Sequence, residues 1–101
     1  MNLLERMRQC EGFEWDEGNS TKNWKKHRVS DGECEQIFFN RPLVAAPDDQ
    51  HSEEEERIHV LGQTDAGREL SLVCTLRTKR IRVISARDMK KKEREVYRSH
   101  E

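Results

Sequence analysis

From residue 57 onward the chain alternates apolar and polar side chains in three runs separated by very short connections, and this pattern constrains the fold more than any other feature. Residues 57–64 form the first run, which closes at Asp65–Ala66–Gly67, a turn in which glycine can take a positive φ. Residues 68–77 form the second: Leu70, Leu72, Cys74 and Leu76 fall on one face, Ser71, Val73 and Thr75 on the other. Thr78–Lys79 then makes a tight connection to residues 80–87, where Ile81 and Val83 share one face and Arg82, Ile84 and Ala86 the other. Connections this short join antiparallel neighbours, so the sequence predicts a three-stranded meander.

The N-terminal half carries different signals. Phe13–Glu14–Trp15 alternates and suits a short strand. Asp16 offers an N-cap for a helix over residues 17–28, whose acid-first, base-last charges match the helix macrodipole. Ser30–Asp31–Gly32–Glu33 has the spacing of a capping box, and Cys34, Ile37 and Phe38 follow it at helical spacing until Asn40 and Pro42 end the helix. Residues 46–50 read as loop, and Ser52 to Glu56 as a solvated acidic run. After the meander, Asp88 is expected to cap a last helix reaching about His100, with Met89, Glu93, Val96, Tyr97 and His100 along one stripe. The order β-α-α-β-β-β-α predicts an α+β domain: a small antiparallel sheet, built from the short N-terminal strand plus the meander, carrying two N-terminal helices and one C-terminal helix. Residues 13–101 make that domain. Residues 1–12 are an N-terminal extension whose apolar cluster is Leu3, Leu4 and Met7, and little order is expected there.

Charged residues are 39% of the 101 and hydrophobic ones 33%, so the core must be thin, and a partner covering part of the surface would help the fold. The net charge of −1 hides an asymmetry: residues 1–56 carry seven Lys and Arg against fourteen acids, a balance of −7, while residues 57–101 carry twelve against six, a balance of +6. Most of those cations fall between residues 77 and 98. A solvated basic face is the plainer reading, but arginines alternating with Ile and Val inside a strand must sit on a packed sheet, which favours a polyanion site. No apolar run approaches the roughly 18 residues of a membrane span, and the opening Met-Asn-Leu-Leu-Glu-Arg lacks the apolar block of a signal peptide. Cys10, Cys34 and Cys74 are an odd, widely spaced set, which argues against a disulfide framework and fits a reducing cytoplasm.

The chemistry open to these residues is narrow. No Gly-rich phosphate loop is present, and His27, His51, His59 and His100 lie far apart without paired spacing, so neither a nucleotide cofactor nor a metal is expected. Arginine stays charged, binds phosphate oxygens bidentately and stacks on bases. Arg77, Arg80, Arg82 and Arg87 stand at or beside the ends of neighbouring strands, where one phosphate would meet several charges. RNA cleavage by its own 2′-hydroxyl needs only a proton acceptor, a proton donor and cations to stabilise the phosphorane. His27, Lys26, Tyr97 or an arginine could fill the proton roles. Each has a plainer alternative: His27 packing beside Trp24, Tyr97 as a core aromatic, Arg68 pairing with an acid of its turn. Lys90–Lys91–Lys92 reads as a solvated helix start that helps steer RNA. Phe38, Phe39, Leu43 and Val44 offer an apolar surface for a partner, with Phe38 equally suited to the core.

Several motifs together resemble a known family: Phe13-Glu14-Trp15-Asp16, Asn23-x-x-Lys26-His27-x-Val29-Ser30, Arg57 before Gly62-x-Thr64, Gly67-Arg68-x-Leu70, Thr75-x-Arg77, and the run Arg80–Arg87 followed by Glu93 and Tyr97. They resemble the BrnT toxins of bacterial type II toxin–antitoxin pairs, over about residues 13–98. The resemblance implies a RelE-like ribonuclease fold, a metal-independent endoribonuclease that inhibits translation, and neutralisation by a BrnA-like antitoxin of the ribbon-helix-helix type that binds operator DNA. It implies His27, Arg77, Arg87 and Tyr97 as catalytic residues, with Lys26, Arg57, Thr75, Arg80 and Arg82 at the RNA. Arg28 stands where a glycine is common after Lys-His, so that helix end would be capped differently. The rival reading is a non-catalytic nucleic-acid-binding or co-repressor module.

Overall fold

In the computed structural model, which describes residues 2–51 and 54–101, the three runs form the expected meander. Strand β3 (Ile58–Gln63) pairs antiparallel with β4 (Glu69–Arg77), and β4 with β5 (Arg80–Asp88). The β4–β5 connection is two residues long, with Thr78 and Lys79 both at positive φ (47° and 62°), the geometry that matches strand twist in a two-residue hairpin. Two further strands complete a mixed sheet of order β1-β5-β4-β3-β2. Here β1 (Gly12–Glu14) runs parallel to the first residues of β5, and β2 (Val44–Pro47) runs antiparallel to β3. The sequence reading placed residues 46–47 in a loop and made the sheet wholly antiparallel. Both points are corrected by tertiary pairing, since an edge strand of four residues accepts a terminal proline and carries little pattern of its own.

A β-bulge decides which side chains face which way. Val73 pairs with Ser85 and Cys74 with Val83, leaving Ile84 as the extra residue on β5. Alternation therefore resets at Ile84. Ala86 joins Ile81 and Val83 in the core, and Ser85 and Arg87 turn to the face that bears Arg82. Strict alternation had grouped Ala86 with Arg82, which would have aimed Arg87 at the core.

The core face is covered by helices. Ile58, Val60, Leu70, Leu72, Cys74, Ile81, Val83 and Ala86 pack against Val29 and against Cys34 and Ile37 of helix α3 (Asp31–Ile37). The capping box is present, with Glu33 N–H donating to Ser30 Oγ at 3.1 Å and Ser30 N–H to Glu33 Oε1 at 3.0 Å. Helix α2 (Ser20–His27) starts three residues later than the pattern suggests, because the Asp16 carboxylate accepts Gly18 N–H in a local turn and Asn19 becomes the cap. Its end is set by Arg28 in the left-handed conformation (φ 54°). Beyond the reach of β1, α2 also covers the edge of β5: Asn19 Nδ2 donates to Val83 O at 2.9 Å, and Ala86 N–H donates to Asn23 Oδ1 at 3.1 Å. Two buried asparagines thus stand in for a neighbouring strand. Residues 2–11, expected to lack order, hold helix α1 (Leu3–Arg8), capped by Asn2, with Met7 buried in the core.

Helix α4 (Lys91–Arg98) packs alone on the opposite face, where Met89 and Tyr97 meet Leu61. Asp88 does not cap it. That residue ends β5 and binds Arg68, while Glu93 reaches back to Lys90 N–H at 2.8 Å. Of the acidic run, Ser52 and Glu53 lie outside the described residues.

Candidate active site

Cross-strand neighbours share a face, so the sheet side opposite the helices α1–α3 can be read as rows. Ser71 stands beside Arg87, His59 beside Val73 and Ser85, and Thr75 beside Arg82, with Arg77 opposite Arg80 at the hairpin end. Helix α4 covers the Leu61 end of this face, and His59, Val73, Ser85, Arg82 and Arg87 stay partly exposed.

Two polar groupings occupy the face. At the hairpin end, Arg77 binds Glu55 at 2.7 Å and Glu14 at 3.4 Å, and Arg82 binds Glu14 at 3.0 Å and Asp16 at 2.9 Å. These hydrogen bonds, donated by Arg77 to Glu55 and by Arg82 to Asp16, raise both guanidinium pKa values above the ordinary range. The acids come from the negative half of the chain and the arginines from the positive half, so folding neutralises part of the asymmetry seen in the sequence. Arg80 is exposed at the tight turn. Thr75 is buried, and its hydroxyl donates to Glu56 O at 2.9 Å.

Beside α4 lies the second grouping. The Arg87 fork binds both oxygens of Glu93, Nη1 to Oε1 at 2.7 Å and Nη2 to Oε2 at 3.0 Å. Ser71 Oγ donates to Glu93 Oε2 at 3.2 Å, and His59 Nε2 lies 2.7 Å from Ser71 Oγ and 3.3 Å from Glu93 Oε2. Burial opposes ionisation of Glu93, but the Arg87 fork, Lys90 N–H and the Ser71 hydroxyl outweigh it and bring the carboxyl down to about 2. The site therefore holds a fixed carboxylate with a bidentate cation, a hydroxyl and an imidazole each within reach of it. The bulge at Ile84 is what turns Arg87 toward this group.

The remaining sequence candidates lie elsewhere. Lys26 and His27 are exposed near the end of α2, and Arg57 stands partly buried before β3. Tyr97 is fully buried, its hydroxyl donates to Pro42 O at 2.7 Å, and burial pushes its pKa up to about 12. Arg68 ties the fold together, binding Asp88 at 2.7 Å, Glu33 at 3.0 Å and the carbonyls of Arg28 and His27 at 2.9 and 3.1 Å. It thereby satisfies orphan carbonyls at the end of α2 with a cation where the macrodipole favours one. His59 and Ser71 were not singled out by sequence reasoning. The available signal was that both sit on the polar face of their runs, with Ser71 directly across from Arg87 once the bulge is known and His59 one strand further on. Among the described residues, no three His, Cys, Asp or Glu side chains gather in a group that could hold a metal ion, and no helix is long and apolar enough to cross a membrane.

A comparison with curated proteins finds no match. A protein-family model described as the ribonuclease toxin, BrnT, of type II toxin–antitoxin systems matches residues 15–93. That span runs from the end of β1 into the first turn of α4 and contains His59, Ser71, Arg87 and Glu93. The chain belongs to the BrnT family of ribonuclease toxins of type II toxin–antitoxin systems.

Proposed function

We propose that this toxin cleaves RNA on the open sheet face without a metal ion. The 2′-hydroxyl oxygen attacks the adjacent phosphorus, the bond to the 5′-oxygen breaks, and the products carry a 2′,3′-cyclic phosphate and a 5′-hydroxyl. Such a reaction needs preorganised cations around the developing phosphorane more than it needs covalent help from the protein. The observation that carries the reading is Arg87, held in a bidentate fork by Glu93 beside the part of the sheet face that α4 leaves open. Arg77, Arg80 and Arg82, with Arg57 and Lys26, bind and steer the RNA strand rather than act on the scissile bond, and the salt dependence of affinity reports their share. Thr75 and Tyr97 serve the fold through their bonded hydroxyls. In this reading the protein acts in the cytoplasm, where it inhibits translation.

A type II toxin has an antitoxin partner, and we take it here as a BrnA-like protein of the ribbon-helix-helix type that also binds operator DNA. Phe39, 80% exposed, supports a covered apolar surface away from the sheet face, whereas Phe38 packs on Phe13 with ring centroids 5.4 Å apart.

The test is incubation of purified protein with RNA in EDTA, with 5′-end mapping of the products. Discrete 5′-hydroxyl ends that disappear in Arg87→Ala support the proposal. Intact RNA with retained, salt-sensitive binding would instead favour the non-catalytic module.

A further inference from the structure

We infer that His59 is a catalytic residue of RNA cleavage, moving the proton from the 2′-hydroxyl to the departing 5′-oxygen. This rests on the reading that the scissile phosphate binds at Arg87. The chemistry requires a proton acceptor and a proton donor near that cation at neutral pH, and one imidazole can serve as both in turn. Arg87 cannot lose its proton at any working pH. A serine hydroxyl does not ionise there either. Glu93, with its carboxyl held near 2, is too weak a base and has no proton to give. Histidine is the residue type whose charge changes between pH 5 and 8.

Geometry separates His59 from the other histidines. Among the histidines whose side chains are described (His27, His59 and His100), it alone has an imidazole joined to an arginine–carboxylate pair. The side chain of His27 lies exposed at the end of α2, and His100 bonds Val96 O at 2.9 Å within α4. The His59 side chain is 35% exposed, so substrate can reach it, and its Nδ1 makes no hydrogen bond among the described residues.

Position assigns a role to each nitrogen. The Glu93 carboxylate and the Ser71 hydroxyl at Nε2 favour the tautomer with its proton there, which leaves the Nδ1 lone pair for substrate. Nδ1 accepts the 2′-hydroxyl proton as the O2′–P bond forms. The resulting imidazolium is stabilised by Glu93, the division of labour between histidine and carboxylate in an acyl-transfer triad. Nδ1–H then returns the proton to O5′ as the P–O5′ electron pair leaves with that oxygen. The imidazole ends neutral, as it began, and Arg87 offsets the phosphorane charge. Glu93 and Ser71 are positioning residues in this scheme. The charged groups that face the ring are Glu93 from α4 and, through it, Arg87 from β5. Opposite His59 in the sheet, β4 contributes Val73 and β2 Ala46, neither of which titrates.

The experiment measures kcat/KM for a synthetic RNA in EDTA from pH 5 to 9, using the full chain, with melting curves as a fold control. His59→Gln is expected to lower the rate by about a hundredfold or more at unchanged melting temperature and to erase the acidic limb of the profile. Ser71→Ala should shift the midpoint of that limb while retaining most of the maximal rate. His59→Ala should regain activity with added imidazole, a readout that an unfolded variant cannot give. A His59→Gln rate within threefold of the parent, with the same pH profile, would overturn the assignment. If Arg87→Ala abolishes cleavage in that case, the face remains the active site and His59 alone is misassigned. If Arg87→Ala is also unaffected, the face itself is wrong.

Discussion

Glu93→Gln tests the energetics of the site apart from its chemistry. The substitution keeps the shape of the side chain and removes its titrating charge. In the folded protein this carboxyl is brought from 4.5 to about 2, burial opposing and the Arg87 fork, Lys90 N–H and Ser71 hydroxyl prevailing. A difference of that size, at roughly 1.4 kcal/mol per pKa unit, corresponds to about 3 kcal/mol of folding free energy. The side chain is only 16% exposed, so solvent screening removes little of it. The folded pKa lies below the unfolded one, so this stabilisation is fully present above the ordinary carboxylate range and is lost as pH falls toward 2. Urea unfolding followed by the fluorescence of Trp15 and Trp24 should therefore find Glu93→Gln less stable by up to about 3 kcal/mol at pH 7. The gap should narrow below pH 4.5 and nearly close by pH 2. Other carboxylates lose stability over the same range in both proteins, and the difference between the curves cancels them. A gap that stays constant from pH 7 to pH 2.5 would refute the argument, because a steric effect does not titrate. The same change at Glu55, whose partner Arg77 is 46% exposed, should be close to neutral.

Three further outcomes follow from the packing. Tyr97→Phe removes the bond to Pro42 O and should cost about 1 kcal/mol in urea unfolding while leaving the RNA cleavage rate unchanged; a large fall in rate would return Tyr97 to the reaction. Gly62→Ala should destabilise by about 1–3 kcal/mol, since the added Cβ would lie 2.9 Å from Ile37 Cβ and push α3 off the sheet; an unchanged melting temperature would contradict that contact. The double substitution Thr78→Asn, Lys79→Gly places residues suited to positive φ in the β4–β5 hairpin and should stabilise by about 0.5–1 kcal/mol, read from thermal melts.

Much of this molecule is legible from local pattern. The meander follows from period-two alternation and short connections, which are local properties of residues 57–87. The Ser30 cap is equally local, since Ser30 and Glu33 satisfy each other three residues apart. The basic strip, with Arg87 in it, is also visible before any fold is known. Weak or absent local signals account for the rest. α1 is six residues long and is held by burying Met7, a contact that exists only in the tertiary structure. β2 is defined by its pairing with β3. The acids that pair with Arg77 and Arg82 could not be read from spacing, because Glu14, Asp16 and Glu55 are distant in sequence and become neighbours only when β1 docks and residues 54–57 lead into β3.

By itself, then, the sequence determined the class, the meander and the family, because alternation, caps and motif spacing are properties of consecutive residues. The tertiary structure decided which face each arginine takes and what surrounds it. One unpaired residue, Ile84, reverses the alternation of β5 and carries Arg87 from the core side to the open side. There it meets Glu93 from a helix that packs on that face alone, and Ser71 and His59 from two other strands. No spacing rule reads such a meeting, because strand register and a bulge are fixed by burial across the whole sheet rather than by neighbours in the chain.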